Sequence, residues 1–596
     1  MSSSESKNVL SALAGAGTDT ITTRPVIMGT NGMVTSGHYL ASRIGLSVLE
    51  DGGNAVDAGV SMGFALAVLE PYIYGIGGEV PILIYLAKEK KVLALSGQGY
   101  APANSSIDVF RKMGIDAIPG DGLLAAVVPD AVSTWITALS LYGTMDLSRV
   151  LSPAHDLALN GFPMYETLRA AIERSSAQFL NDWPTSARAF LPEDRLMEVG
   201  EIWVQPDLAG MFKKLMEAEN TGKKRGRQEG LQAAHDVFYK GEIAERISDF
   251  SQNTSWPDST GKRNRGLITG EDLAGYATRV EGPVTINYRG IDVYKCGPWT
   301  QGPVFLQQLS ILEGYDLSAI GHNSDEYVHL LIETAKLAFA DRERYYGDPD
   351  FVNVPLDILL SHEYAAQRRD LIHPNRASME LCPGNAPATD PVKREGGSDL
   401  HKGDTTHLDA VDRWGNMISA TPSGGWFRSS PVIDGLGFPL GTRMQMFYLD
   451  PGHANALMPC KRPRTTLTPS LALKNGEPFM VFGTPGGDQQ DQWTLQFFLN
   501  HVDFGMNLQE AVDAPNFHSS HFPASFYPHS AEPGGMAIEN RVPTEVIESL
   551  KGKGHDVHVV HAWSHGRVLG IRYDADTGLI QGAASPRLET GYAMGW

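Results

Sequence analysis

The chain has 596 residues, a formal net charge of −20 and a pI near 5.3. Ordinary apolar content at that length supports a large core or several smaller ones, and the negative field opposes binding to nucleic-acid phosphates. The strongest apolar run, GVSMGFALAVLEP, falls well short of the roughly 20 residues that cross a bilayer, so the expected partners are small molecules, with no nucleic acid and no membrane.

In chain order, the first thirty residues lack the basic start and sustained apolar stretch of a secretory signal and read as a short polar lead. Cys296, Cys382 and Cys460 stand alone without disulfide or zinc spacing, which makes the cytoplasm the expected compartment. The segment HYLASRIGLSVLEDGG places Leu40, Ile44, Val48 and Leu49 at helical spacing, and Asn54 then caps a second, buried helix ending at Pro71. PILIYLAKEKKVLALSG predicts two strands around a charged turn. Stretches 220–230 and 251–266 are polar and glycine-bearing and read as exposed insertions. A later helix opens at its Ser324 cap, with Asp325 and Glu326 at the positive end of its dipole, and closes at Gly347 and Pro349.

From about 375 to 404 the pattern dissolves into a mobile connector. It runs into GDTTHLDAVDRWGNMISATPS, where THLDAVD and MISATP form a hairpin about the turn RWGN. Beyond it short strands alternate with helices such as VPTEVIESLKGKG, and RVLGIRYDADTGLIQGAASP makes a final hairpin turning at Asp576, Thr577 and Gly578.

Two threonines behind Asp404 admit a bland reading and a chemical one. Thr405 and Thr406 favour a strand by β-branching. Alternatively, Thr405 is a nucleophile. A threonine hydroxyl is weak unless a base assists it, and one such base is the residue's own α-amine, which titrates near about 8 and exists only at a chain start. The Asp404–Thr405 bond would then have to be cut by Thr405 attacking the Asp404 carbonyl, with an N-to-O acyl shift and hydrolysis.

Resemblance favours the chemical reading. The stretches GMVTSGHYLASRIGLSVLEDGGNAVDAGVSMGFALAV, ITGEDLAGYATRVEGPVTINYRGIDVY, YYGDPDFVNVP, GDTTHLDAVDRWGNMIS, CKRPRTTLTPS, FGTPGGDQQ, APNFH and GAASPR resemble the γ-glutamyltransferase family of N-terminal-nucleophile hydrolases, in family order from about residue 30 onward. The resemblance implies an α+β fold of the four-layer αββα type, made as one precursor and cut into a large part, 1–404, and a small part, 405–596. It implies Thr405 as nucleophile, Thr421 as support for the new amine and Ser423 as an aid to processing. Gly486 and Gly487 would form the oxyanion hole, a role that side-chain-free backbone suits, although PGG alone is also a common turn. Thr465 and Thr466 match a hydroxyl pair that binds the substrate carboxylate, with strand propensity as the plain alternative.

Departures from the family bear on substrate. Gln98 stands where γ-glutamyltransferases carry the arginine that grips the glutamate α-carboxylate, Gly424 or Gly425 replaces an asparagine, and Met446 replaces the acidic group for the α-amine. Arg443, where the family often has glutamine, reads either as a relocated carboxylate anchor or as half of a structural ion pair. The segment MFYLDPGHANALMPCKRP is shorter than the family's lid-bearing segment and implies a more open site; LDPGHANAL resembles the branch of cephalosporin acylases and oxamate-type amidohydrolases.

Arg462 and Arg464 read as solvated or structural. His555, His558 and His561 alternate faces on a strand and cannot all converge on a metal; His518, His521 and His529 read as surface or packing residues, and His407 as strand packing that borders the site. The expected protein is therefore a self-processing amide hydrolase or acyltransferase for a small carboxylate-bearing amide. Water or an amine is the acceptor, no metal or organic cofactor is needed, and a homodimer of αβ units is one expected assembly. The alternatives are a true γ-glutamyl hydrolase or transpeptidase, and an uncut binding protein of the same fold.

Overall fold

The computed structural model describes residues 22–385, 404–587 and 589–596; most of the connector expected at 375–404 lies outside the described residues. Two seven-stranded antiparallel sheets dominate those residues. One runs Tyr592–Gly595, Gly32–Ser36, Leu408–Asp412, Met417–Ala420, Ile82–Leu86, Lys91–Ser96, Arg279–Glu281, and the other runs Ile27–Gly29, Leu579–Ala584, Leu569–Asp574, Glu477–Gly483, Ser470–Lys474, Ile291–Lys295, Val284–Tyr288.

The layering follows from the two-residue period of strands. In the first sheet Leu408, Ala410, Ile418, Ala420, Ile82 and Ile84 face a core shared with the helices Tyr39–Glu50 and Ala55–Leu69. Their neighbours Val411, Met417, Leu83 and Tyr85 face the opposite way, onto Leu471, Val481, Ile571 and Ile580 of the second sheet. That sheet's outer face, with Val293, Ala472, Met480 and Phe482, buries against the helices Gly302–Leu312, Asp325–Tyr345 and Gln490–Val502. Helix, sheet, sheet and helix therefore stack around three apolar layers, the αββα arrangement. Each large side chain in those layers contributes roughly 1.5–3 kcal/mol by leaving water.

Local signals hold well. Asn54 and Asp57 form a capping box, and every residue of Ala55–Leu69 is buried, because Gly59 and Gly63 let Ile418 and the Trp135 ring approach the helix backbone. Ser324 caps Asp325–Tyr345 as its spacing predicts. The two expected insertions are more ordered than their composition suggests. Residues 220–230 form the corner between helices Pro206–Gly222 and Arg227–Tyr239, where the Arg227 guanidinium donates to the carbonyls of Leu139, Gly143 and Met145. Residues 251–266 end one helix and hold a two-residue strand pair, with Asn264 donating to the buried Asp258 at 2.8 Å. Polar side chains there satisfy backbone, which composition alone does not reveal. The strand Tyr592–Gly595, unmarked by any alternation in sequence, pairs with Gly32–Ser36.

Candidate active site

The hairpin strand Leu408–Asp412 is held between Gly32–Ser36 and Met417–Ala420. Just ahead of it the chain stays pinned: Thr405 forms an isolated antiparallel bridge with Ser423, the Thr406 N–H donates to Pro422 O at 3.0 Å, and the Gly37 N–H donates to His407 O at 3.2 Å. Thr405 is fully buried. A β-branched residue at a strand start satisfies the local propensity, but the surrounding hydrogen bonds do more than propensity requires.

The Thr405 hydroxyl donates to Ser423 Oγ at 3.3 Å, and the Ser423 hydroxyl donates to the Asp404 carbonyl oxygen at 2.8 Å. A third bond reaches Ser423 Oγ from Arg443 Nη2 at 2.5 Å. Arg443 is itself buried and ion-paired with Glu79, so of its two sequence readings the ion pair is the one present. Burial pushes the Glu79 carboxyl up, against the pull of Arg443. The Asp404 carboxylate bridges two groups, accepting from the Thr405 N–H at 2.8 Å and from Arg567 Nη1 at 3.1 Å.

Ser423 owes its position to close backbone contact on its far side. The Glu79 N–H donates to Ser423 O, the Gly75 N–H donates to Gly424 O, both at 2.9 Å, and a Cβ on Gly78 would lie 2.2 Å from Ser423 O. Gly424 and Gly425 have φ of 70° and 58°, values that glycine adopts without penalty. The asparagine missing there is thus replaced by a turn that only small residues fit.

Thr421 lies opposite His407 in the hairpin. Its hydroxyl is 3.0 Å from His407 Nδ1, and His407 Nε2 is 2.9 Å from Asp409 Oδ1, all three residues being buried. His407 therefore belongs to a hydrogen-bonded row beneath the site, beyond the strand packing expected for it.

Gly486 and Gly487 face the same cavity as Asp404 and Arg567, about 330 Å³ in volume, with Trp493 and Phe526 among its walls. Among the described residues neither glycine's N–H has a hydrogen-bond partner. Gly486 has φ of 126°, and a Cβ there would strike the Trp493 ring. The loop 524–530, read from sequence as surface or packing around His529, supplies one wall.

The remaining candidates are not among the residues lining this cavity. Gln98 is buried and donates to Gly99 O at 3.1 Å. Thr465 pairs with Thr300 as an isolated bridge, and the Thr466 hydroxyl is buried with no partner among the described residues. Met446 is buried beside Arg443. Arg462 pairs with Asp348 and Glu281, and Arg464 with Glu343, which makes both structural.

One cluster that sequence spacing did not reveal could offer metal ligands: His329, Glu333 and His555 are all buried and close together. His329 Nδ1 and His555 Nε2 lie 2.7 Å apart, and Lys336 Nζ is 2.6 Å from Glu333 Oε1. The imidazoles engage each other and the lysine already supplies a cation, so this group reads as a packed polar core. Burial, with Lys336 adding to it, pulls His555 down to about 2.

Comparison with known proteins agrees with this architecture. The gamma-glutamyltranspeptidase family model matches residues 41–595, and the chain belongs to that family. It is 36% identical to a glutathione hydrolase proenzyme of Pseudomonas sp. (strain A14) over 83% of this chain and 82% of that one. It is 32% identical to the acylase ACY 1 proenzyme of Pseudomonas sp. (strain SE83), over 94% and 93% of the two chains. The solved cephalosporin acylase from Bacillus halodurans superposes with a TM-score of 0.81 at 30% identity, covering 98% of each chain. The solved structure LmbA2991HD gives 0.91 at 44% identity, covering 97% of this chain and all of that one. The chain is an enzyme of this family, whose named relatives include both glutathione hydrolases and acylases.

Proposed function

We propose that this enzyme cuts its own Asp404–Thr405 bond and then hydrolyses or transfers the acyl group of a small carboxylate-bearing amide, with Thr405 as nucleophile. The observation that carries the reading is the hydrogen-bonded run from Thr405 Oγ1 through Ser423 Oγ to the Asp404 carbonyl, at 3.3 and 2.8 Å. Thr405 Oγ attacks the Asp404 carbonyl carbon, its proton passes to Ser423, and the Ser423 proton moves to the carbonyl oxygen. The C–N bond then breaks, the nitrogen of Thr405 takes a proton, and an ester joins Asp404 to Thr405 Oγ. Water hydrolyses that ester, leaving the Asp404 carboxylate and a free Thr405 amine and hydroxyl. The buried Arg443–Glu79 pair positions Ser423 throughout.

In turnover the Thr405 amine accepts the hydroxyl proton as Oγ attacks the substrate carbonyl, and returns it to the departing amine. The N–H groups of Gly486 and Gly487 receive the oxyanion; such donors cost nothing to reorganise and are worth roughly 3–4 kcal/mol each. Thr421, with its hydroxyl engaged by His407, supports the new amine from the facing strand. Water or an amine then releases the acyl group. Three unpaired cysteines, one of them buried, support a reducing, cytoplasmic setting.

Denaturing electrophoresis with N-terminal sequencing tests this. Wild-type protein should yield a fragment starting at Thr405, and Thr405→Ala should stay whole and inactive. A Thr405→Ala protein that still cleaves and turns over would move the nucleophile elsewhere. The glutathione hydrolase relatives favour a second reading, a γ-glutamyl hydrolase or transpeptidase. Release of glutamate from a γ-glutamyl anilide would select it; activity confined to other acyl amides would select the first.

A further inference from the structure

Two of the side chains that sequence offers as anchors for a substrate carboxylate are already engaged, and the Thr465–Thr466 pair carries no charge and is not among the residues lining the cavity. Gln98 is neutral and bonded to Gly99, and Arg443 is bound to Glu79 and Ser423. Among the described residues Arg567 is the only basic one lining the cavity that Asp404, Gly486 and Gly487 share. Its side chain is 34% exposed, and Asp404 is its one hydrogen-bond partner among the described residues. Asp488 also lines this cavity, but its carboxylate is taken up by Arg342 and by the N–H and hydroxyl of Ser525.

The Asp404 carboxylate spans from the nitrogen of Thr405 to the guanidinium of Arg567. That nitrogen becomes the α-amine on scission, while Asp404 becomes the carboxyl end of the released fragment. We propose that Arg567 anchors the substrate's carboxylate, and that in the uncut chain Asp404 occupies this anchor as an internal stand-in. The inference rests on scission before Thr405. Once the peptide bond breaks, Asp404 is no longer tethered to Thr405 and becomes a chain end held from one side only, and a partly buried guanidinium that loses it favours a new carboxylate partner because an unpaired charge there is costly. The substrate class follows: an acyl amide whose acyl group ends in a carboxylate a few bonds beyond the reacting carbonyl, its linker lying against Trp493 and Phe526.

The test compares processed wild-type, Arg567→Gln and Arg567→Lys enzymes on succinyl, glutaryl and adipoyl anilides, each paired with an uncharged acyl anilide of the same length. The kcat/KM preference for the charged member should fall roughly 10- to 100-fold in Arg567→Gln, the scale of one charge-assisted hydrogen bond, and recover in part in Arg567→Lys. An unchanged preference overturns the proposal. Because Arg567→Gln could impair scission, a second measurement uses the uncut Thr405→Ala chain. Free glutarate should bind at least tenfold more tightly after Asp404→Asn is added, and equal binding overturns the stand-in. Failure of the scission reading shows separately, as wild-type protein without a Thr405 fragment.

Discussion

Ser423 occupies the position where three demands meet: it accepts from Thr405 and from Arg443 and donates to the Asp404 carbonyl, the group attacked in the proposed scission. Ser423→Ala should therefore slow self-cleavage by about 10²-fold or more, the range of a positioned proton relay, measured as the rate of fragment appearance on gels. Glu70 offers a pH test at the same scale. Burial raises its carboxyl from the usual 4.5 to about 7, nearby Asp404 adds to the rise, and the neighbouring Thr406 hydroxyl and the Arg567 charge oppose it. A carboxyl with a raised pKa binds its proton more tightly when folded. The contribution of Glu70 to stability is thus greatest below pH 4.5, falls as pH climbs from 4.5 to 7, and is level above that. The loss is on the order of 3 kcal/mol. Glu70→Gln should then raise the melting temperature at pH 8 and change it little at pH 4.5; the opposite pattern would show Glu70 to be stabilised as an anion.

At the scale of elements, the site depends on two glycine-rich turns meeting back to back. Gly75 and Gly78 touch the turn Gly424–Gly425 with no side chain between them, and this contact fixes the segment after strand Met417–Ala420 that carries Thr421 and Ser423. Gly78→Ala would drive a methyl group into Ser423 O. It should cost at least 1–3 kcal/mol and slow cleavage as well, read as a lower melting temperature together with delayed fragment appearance. A stability loss without a cleavage defect would separate the turn from the chemistry.

Across the whole molecule, the proposed scission at residue 404 would not divide the fold into two bodies. Each sheet combines strands from before and after residue 404: Leu408–Asp412 pairs with Gly32–Ser36, and Ser470–Lys474 pairs with Ile291–Lys295. The buried ion pair of Lys295 with Asp491, 3.0 Å apart, crosses the same divide. The cut fragments should therefore co-elute in native size-exclusion chromatography and separate only in denaturant. Lys295→Ala should cost about 3–5 kcal/mol by leaving Asp491 buried without its cation, seen as a lower denaturation midpoint of the processed protein.

The helix Ala55–Leu69 and the hairpin about RWGN were legible in sequence because each rests on local periodicity, capping or turn chemistry. So was the family, because its motifs are contiguous. What residue spacing could not reveal was partnership across hundreds of positions. Arg443 is claimed by Glu79, Thr421 by His407, and Arg567, set in the unremarkable SHGRVLG, reaches Asp404. Which arginine faces the cavity depends on where buried charges find their counterions, and only the packed sheets fix those distances.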